Sequence, residues 1–188
     1  MRRPRRRQRR GDYRIFVGAF PQGELAQRLQ ALREQYDPAT AAISQPHVTL
    51  AGTYWRSGPA TPENEAALIE RLQATQMKIA PFDLVLGGVR RFGQRVVYLG
   101  VRPSEGLLAA RQTLLRVIGR DKHRRYTPHL TLAMRLAPDE MDEMVAALQR
   151  TELETERWTV PIGRLHLMQR GPEDTAWRAI AELPLEGT

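Results

Sequence analysis

Pro46-His47-Val48-Thr49-Leu50-Ala51 returns later in the chain, nearly unchanged, as Pro128-His129-Leu130-Thr131-Leu132-Ala133. Alternation of polar and apolar residues is typical of a β-strand with one buried face, because successive side chains of a strand point to opposite faces. Each copy then places its imidazole and its hydroxyl on one face and its apolar side chains on the other. The repeat therefore predicts two related strands, each presenting one histidine and one threonine.

Two imidazoles in matching settings are suited to acid–base catalysis. The ordinary pKa of histidine, about 6.5, allows one ring to accept a proton while the other donates one near neutral pH. We predict His47 and His129 as the catalytic residues, with Thr49 and Thr131 donating hydrogen bonds to the oxygens of a bound phosphate. A single copy of the motif would more often be an edge strand with a water-facing histidine, and the second copy favours a site.

A metal centre is the main chemical alternative for paired histidines. The His-x-x-x-His and His-x-His spacings of zinc sites are missing from both motifs, and no carboxylate neighbours either one. The chain also has no cysteine, which excludes thiolate nucleophiles, disulfides and cysteine-based zinc sites. We therefore predict catalysis without a metal or another cofactor.

The two motifs resemble those of the 2H phosphoesterase superfamily, and within it the RNA 2′,3′-cyclic phosphodiesterases, which are also called 2′-5′ RNA ligases. The resemblance extends to the opening strand 14–21, to the strand-like segments 82–89 and 95–101, and to Tyr126-Thr127-Pro128 before the second motif. It covers about residues 13–183. The double motif is its most specific part.

The resemblance implies an α+β fold with two pseudo-symmetric lobes, each an antiparallel sheet with outer helices, around a central cleft that holds both histidines. It also implies hydrolysis of RNA 2′,3′-cyclic phosphate ends to 2′-phosphates, with His129 as the base and His47 as the acid. With an RNA 5′-hydroxyl in place of water, the same chemistry would act as a 2′-5′ RNA ligase. Two alternatives stay open: a non-catalytic module that binds RNA ends, and a phosphodiesterase for a small cyclic nucleotide.

Three further residues are predicted to contact the substrate. Tyr126 could stack on a base, although a packing role is an equal alternative. Arg125 ends the basic run 122–125, which could attract an anionic substrate. Arg135 would share a face with the second motif's histidine if that strand, as we predict, continues to residue 135.

The rest of the chain is predicted to alternate strands and helices. Apolar residues recur at helical spacing in four segments, and two helix boundaries carry clear signals, a capped start at Thr61-Pro62 and an end near Gly119. We also predict a hairpin around Phe92-Gly93-Gln94 and closing strands at 160–168 and 177–183. His166 and Trp177, which belong to these strands, are interpreted as structural residues.

Charge is concentrated at the N-terminus. Seven arginines and no acid lie in the first ten residues, which leaves 22 basic and 21 acidic residues in the remainder. We predict residues 1–11 to be a flexible basic tail that contacts RNA and residues 12–188 to be a single domain, while an incidental arginine run stays an alternative. No segment has the roughly 18 apolar residues of a membrane span, so we expect a soluble cytoplasmic monomer with no membrane partner.

Deletion of residues 2–10 tests the tail. If the arginines contact RNA, the deletion should weaken binding of long oligonucleotides and leave hydrolysis of a cyclic mononucleotide unchanged, because the histidines lie in the body. Each phosphate contact on a single strand contributes about 0.7 to the slope of log affinity against log salt, so the slope should flatten. Fluorescence anisotropy at several salt concentrations measures this slope, and equal slopes with and without the tail would make the tail incidental.

Overall fold

The computed structural model describes residues 13–56, 61–76, 78–119 and 125–186, so the tail and Lys122, His123 and Arg124 of the basic run lie outside it. The elements are β1 (Tyr13–Ala19), α1 (Gly23–Tyr36), α2 (Pro38–Ala41), β2 (Val48–Arg56), α3 (Pro62–Gln76), β3 (Phe82–Phe92), β4 (Val96–Arg102), α4 (Glu105–Ile118), β5 (His129–Ala133), α5 (Pro138–Leu148), α6 (Glu152–Thr155), β6 (Trp158–Ile162), β7 (Arg164–Arg170) and β8 (Arg178–Pro184). No helix in these ranges is long and apolar enough to cross a membrane.

The eight described strands form one antiparallel sheet in the order β6-β3-β4-β5-β2-β1-β7-β8. Its two halves are four strands each, and each half has a motif strand, β2 or β5, at the centre of the sheet. The halves are joined by one residue pair, Val48 with Leu130. The predicted α+β class and the two pseudo-symmetric antiparallel units are confirmed, and the structure adds that they are continuous through this pair.

The single strand predicted over residues 160–168 is wrong, because this segment is two strands that belong to different halves. β6 ends at Ile162 and pairs with β3, whereas β7 begins at Arg164 and pairs with β1. Only Gly163 separates them. β6 lies at one edge of the sheet and β7 lies next to the other edge, so the sheet must curl to bring these two strands together. Pro161 fits β6 because this strand lies at the edge of the sheet, where a missing N–H group breaks no ladder.

Helices cover one face of the sheet and bury the main core against it. Val48 and Leu130 are fully buried in that core, together with leucines of α1, α3 and α4. Helix α4 begins with the side chain of Ser104 accepting from the backbone N–H of Leu107, and it ends at Gly119, whose φ of +99° favours glycine. The predicted end near Gly119 is therefore confirmed, as is the predicted start of α3 at Pro62.

Strand β5 is shorter than predicted. It ends at Ala133, and the backbone N–H groups of Met134 and Arg135 donate to the carboxylate of Asp37 instead of to a neighbouring strand. Strand alternation therefore stops before Arg135, and the reason for placing its side chain beside His129 is lost. Its contact with substrate stays a prediction.

Two leucines of α4 provide a matched test of the packing. Leu114 is fully buried, whereas Leu108 is 41% exposed. Leu114→Ala should lower the free energy of unfolding by about 2–5 kcal/mol, because it leaves a cavity, and Leu108→Ala should change it by less than about 1 kcal/mol. Urea denaturation followed by circular dichroism measures both values, and similar losses would contradict this orientation of α4.

Candidate active site

The two motifs meet at the centre of the sheet, where Val48 pairs with Leu130. Both of these side chains point into the core under the helices, so the residues before and after them point to the opposite face. We call that opposite face the histidine face. Because the two strands are antiparallel, the register places each motif's histidine opposite the other motif's threonine. The motifs contribute four half-buried polar side chains to this face, His47, Thr49, His129 and Thr131.

The same hydrogen bond holds each imidazole. Nδ1 of His47 lies 2.8 Å from the carbonyl oxygen of Gln45, and Nδ1 of His129 lies 2.7 Å from that of Thr127. A carbonyl oxygen can only accept a hydrogen bond, so Nδ1 carries the proton in both rings. Proton transfer by either ring therefore uses Nε2.

The aromatic surroundings of the two rings differ. His47 stacks on Phe16, with ring centroids 4.7 Å apart and 19° between the planes, and on Phe20 at 5.2 Å and 28°. His129 instead meets Phe92 at 5.0 Å and 85°, and Tyr98 at 5.2 Å and 62°. Phe16 and Phe20 are buried in a second apolar cluster, separate from the main core. His47 is therefore an imidazole that stacks on two apolar rings.

These surroundings change the acidity of His47. Burial, the largest cause, lowers its pKa to about 4, the charges of Arg33 and His129 also lower it, and the hydrogen bond to the Gln45 carbonyl opposes them. In the unliganded protein at pH 7, His47 is consequently neutral. A phosphate anion beside the ring would raise this pKa, because it stabilises the imidazolium form.

Two buried charged residues support the loop before the first motif and the end of the second. Arg33 of α1 donates to the carbonyl oxygens of Ser44, at 2.6 Å, and Thr40, at 3.2 Å. Asp37 accepts from the backbone N–H of Thr40 at 2.9 Å and from that of Met134 at 2.8 Å, which ties α2 to the chain after β5. The sequence did not reveal either residue, because neither belongs to a recognisable motif. Arg33 follows Leu29 on the buried side of α1.

Tyr126 supports the backbone of the first motif. Its hydroxyl donates to the carbonyl oxygen of Thr49 at 3.0 Å, and its ring centroid lies 3.9 Å from Cζ of Arg111. Arg111, another buried residue that the sequence did not reveal, donates to the carbonyl oxygen of Leu50. These contacts occupy the place where β2 and β5 have separated, so Tyr126 has the packing role that was left open. Stacking on a base stays a prediction.

Arg125 and Arg135 are exposed, and no hydrogen bond or ring contact between described residues joins either side chain to the motif histidines. Their roles in substrate binding stay predictions. His166 lies on the histidine face, opposite Gly18 of β1, and meets the ring of Phe20 edge-on at 5.1 Å. Across the described part of the chain, no three His, Cys, Asp or Glu side chains form a group that could hold a metal ion.

Comparison with known proteins gives a consistent result. A family model described as the 2′-5′ RNA ligase superfamily matches residues 21–174. A protein of Bacillus cytotoxicus described as a phosphoesterase is 25% identical over 165 residues, which cover 86% of this chain and 91% of that protein. One of Bacillus licheniformis with the same description is 26% identical over 153 residues, covering 79% of this chain and 85% of that one.

Solved structures share the fold. Apo E. coli LigT superimposes with a TM-score of 0.60 at 20% identity and covers 93% of this chain and 98% of its own. TT0787 of Thermus thermophilus gives a TM-score of 0.61 at 20% identity, with the same coverage of 93% and 98%. The chain therefore shares its fold with proteins that are only 20% identical to it in sequence.

The environment of His47 predicts an unusual titration. In the unliganded protein its ring should titrate at about pH 4, and inorganic phosphate should move the midpoint upward. Because the unfolded chain binds this proton at higher pH than the folded one, the free energy of unfolding should fall as pH falls from about 6.5 towards 4. NMR of the imidazole C–H signals measures the midpoint, with His47→Gln assigning the signal. A midpoint near 6.5 without phosphate would contradict the described burial.

Proposed function

Because the chain belongs to the 2′-5′ RNA ligase superfamily of 2H phosphoesterases, we propose that it hydrolyses the 2′,3′-cyclic phosphate ends of RNA to 2′-phosphates. One observation supports this most strongly. Two imidazoles with the same Nδ1–carbonyl bond flank the Val48–Leu130 pair on one face, each opposite a threonine hydroxyl. This arrangement offers one proton acceptor, one proton donor and two hydroxyl donors for a tetrahedral anion.

The proposed reaction is an in-line displacement at phosphorus. Nε2 of His129 takes a proton from water as the water oxygen forms a bond to phosphorus. Nε2–H of His47 gives its proton to the ribose O3′ as the bond between phosphorus and O3′ breaks. The product carries a 2′-phosphate and a free 3′-hydroxyl, and exchange with water returns both rings to their starting forms. Thr49 and Thr131 donate hydrogen bonds to the non-bridging oxygens, where negative charge accumulates.

The low pKa of His47 is compatible with its role as the acid. The ring is neutral in the free protein and gains its proton when the anionic diester lies beside it. Burial beside Phe16 and Phe20 removes water from the ring and keeps the imidazolium less stable than in water, so it gives its proton readily to the departing oxygen. Substrate binding would therefore promote protonation of His47, and the protonated ring then serves as the acid.

An exposed aromatic ring supports a nucleotide as the substrate. Phe92 is 36% exposed, stacks on Tyr98 with ring centroids 4.2 Å apart and forms a T-shaped contact with His129. Bases in single-stranded RNA commonly stack on such rings. We place the terminal base on Phe92. With an RNA 5′-hydroxyl in place of water, the same displacement would leave a 2′-5′ linkage.

The direct test is hydrolysis of an oligonucleotide that ends in a 2′,3′-cyclic phosphate. His47→Ala and His129→Ala should each lower kcat by about 10²–10⁴, the usual contribution of positioned proton transfer. Thr49→Ala and Thr131→Ala should cost less, since each removes one hydrogen bond. His166→Ala removes another histidine of the same face and should retain most of the activity.

Four outcomes of this assay would contradict the proposal or one part of it. Near-normal turnover by a folded His47→Ala or His129→Ala variant would remove the two-histidine mechanism. Activity abolished by a chelator and restored by zinc would replace it with metal catalysis. Tight binding of the RNA end with no turnover would identify a binding module. A 3′-phosphate product would keep the enzyme but reverse the orientation of the cyclic phosphate.

A further inference from the structure

Two arginines face each other on the histidine face. Arg14 of β1 and Arg170 of β7 are direct partners at one end of a regular antiparallel ladder that continues to Gly18 and His166. Because the ladder is regular, both arginines lie on the same face as Phe16, the ring that stacks on His47. Like charges directly opposite each other destabilise a sheet, so an anion between them would be stabilising.

Among the described residues, no carboxylate forms an ion pair with Arg170. The half-buried Arg170 donates from Nε to the carbonyl oxygen of Asp174 at 3.2 Å and from Nη2 to that of Thr175 at 3.4 Å. Both acceptors are backbone carbonyls, so they fix the guanidinium without neutralising it. A guanidinium has five N–H groups, and three of them remain for a ligand.

Arg14 lies close to the positive charge of Arg170. Burial and, after it, the charge of Arg170 lower the pKa of Arg14. Its Cζ lies 5.2 Å from the ring centroid of Trp177. The indole orients the Arg14 guanidinium by a cation–π contact.

Trp177 links the two arginines to the catalytic end of the face. Its ring meets Phe16 edge-on at 4.7 Å, and Phe16 in turn stacks on His47 at 4.7 Å. The indole is half-buried on the histidine face and packs on the second apolar cluster, outside the main core. The two arginines are therefore separated from the first motif histidine by a short row of rings.

We propose that Arg14 and Arg170 bind the backbone phosphate of the nucleotide that precedes the cyclic end of the RNA. A phosphate between the two guanidinium groups would replace their repulsion with charge-assisted hydrogen bonds, for which the planar fork of arginine is well shaped. A single strand carries one such charge per nucleotide, so a strand with its end at His47 presents the next charge close by. The identity of the ligand rests on the proposed function, and the subsite sets how strongly the enzyme prefers oligonucleotides over mononucleotides.

The experiment compares two substrates, of which only the longer one carries this phosphate. These are a 2′,3′-cyclic mononucleotide and a trinucleotide that ends in the same cyclic nucleotide. The full-length variants are Arg14→Gln, Arg170→Gln and their double mutant, with Arg150→Gln, an exposed arginine beyond α5, as the charge-matched control. Arg14→Lys and Arg170→Lys retain the charge and should restore part of the effect.

On the trinucleotide, the double mutant should lower kcat/KM by about tenfold or more through KM, the effect of losing charge-assisted hydrogen bonds. On the mononucleotide it should behave like Arg150→Gln. The slope of log kcat/KM against log salt should also flatten by about 0.7, as expected for one lost phosphate contact. Equal losses on both substrates, or no loss on the trinucleotide beyond that of Arg150→Gln, would overturn the subsite.

A binding measurement separates this proposal from the proposed activity. Fluorescence anisotropy with a labelled trinucleotide ending in a 2′-phosphate requires no turnover. If the wild-type protein hydrolyses neither substrate, the proposed function fails, and weaker binding by the double mutant than by Arg150→Gln still supports the subsite. Equal binding by these two variants would overturn it.

Discussion

The pairing of Val48 with Leu130 is the contact on which the site depends. It is the one described ladder position that joins the two halves of the sheet, and both side chains are fully buried under the helices. Because the strands are antiparallel there, burial of these two residues turns both motifs' polar side chains to the opposite face. The apolar core thus fixes the position of the polar site, since a slip of one residue in either strand would bury a histidine.

Where the two motif strands separate, their backbone groups need other partners. Tyr126 and Arg111 provide donors to the carbonyl oxygens of β2, and Asp37 provides an acceptor for the N–H groups that follow β5. Unpaired backbone groups are costly in a buried setting, so these side chains let the halves diverge without that cost. They also hold the motif backbones, and through them the two histidines.

The two histidines share a backbone setting and differ in their neighbours. The Nδ1–carbonyl bond is the same in both, whereas the flat stacking of Phe16 and Phe20 occurs only at His47. A duplicated strand therefore gives two imidazoles of equal orientation and unequal environment, which is how one pair can provide both an acid and a base. The row of rings that begins at His47 continues through Trp177 to Arg14, which connects the motif histidines to the proposed phosphate subsite.

The repeated motif was sufficient to predict the central strands, the face shared by each histidine and threonine, and, through the family resemblance, the α+β architecture. These features follow from the period of two in a strand and from the pattern of apolar residues, both of which are local. Helix boundaries such as Gly119 were also local, because they depend on backbone conformation at one residue.

Other features depend on contacts between residues far apart in the chain, so a local pattern could not reveal them. The division at Gly163 exists because β6 and β7 pair with different halves, and β5 ends early because Asp37 takes its next N–H groups. Arg33, Arg111 and Phe16 resemble ordinary helix and strand residues until folding brings them beside the motifs. The pKa of His47 and the pairing of Arg14 with Arg170 arise in the same way, since burial and charge proximity are properties of the packed sheet rather than of any segment.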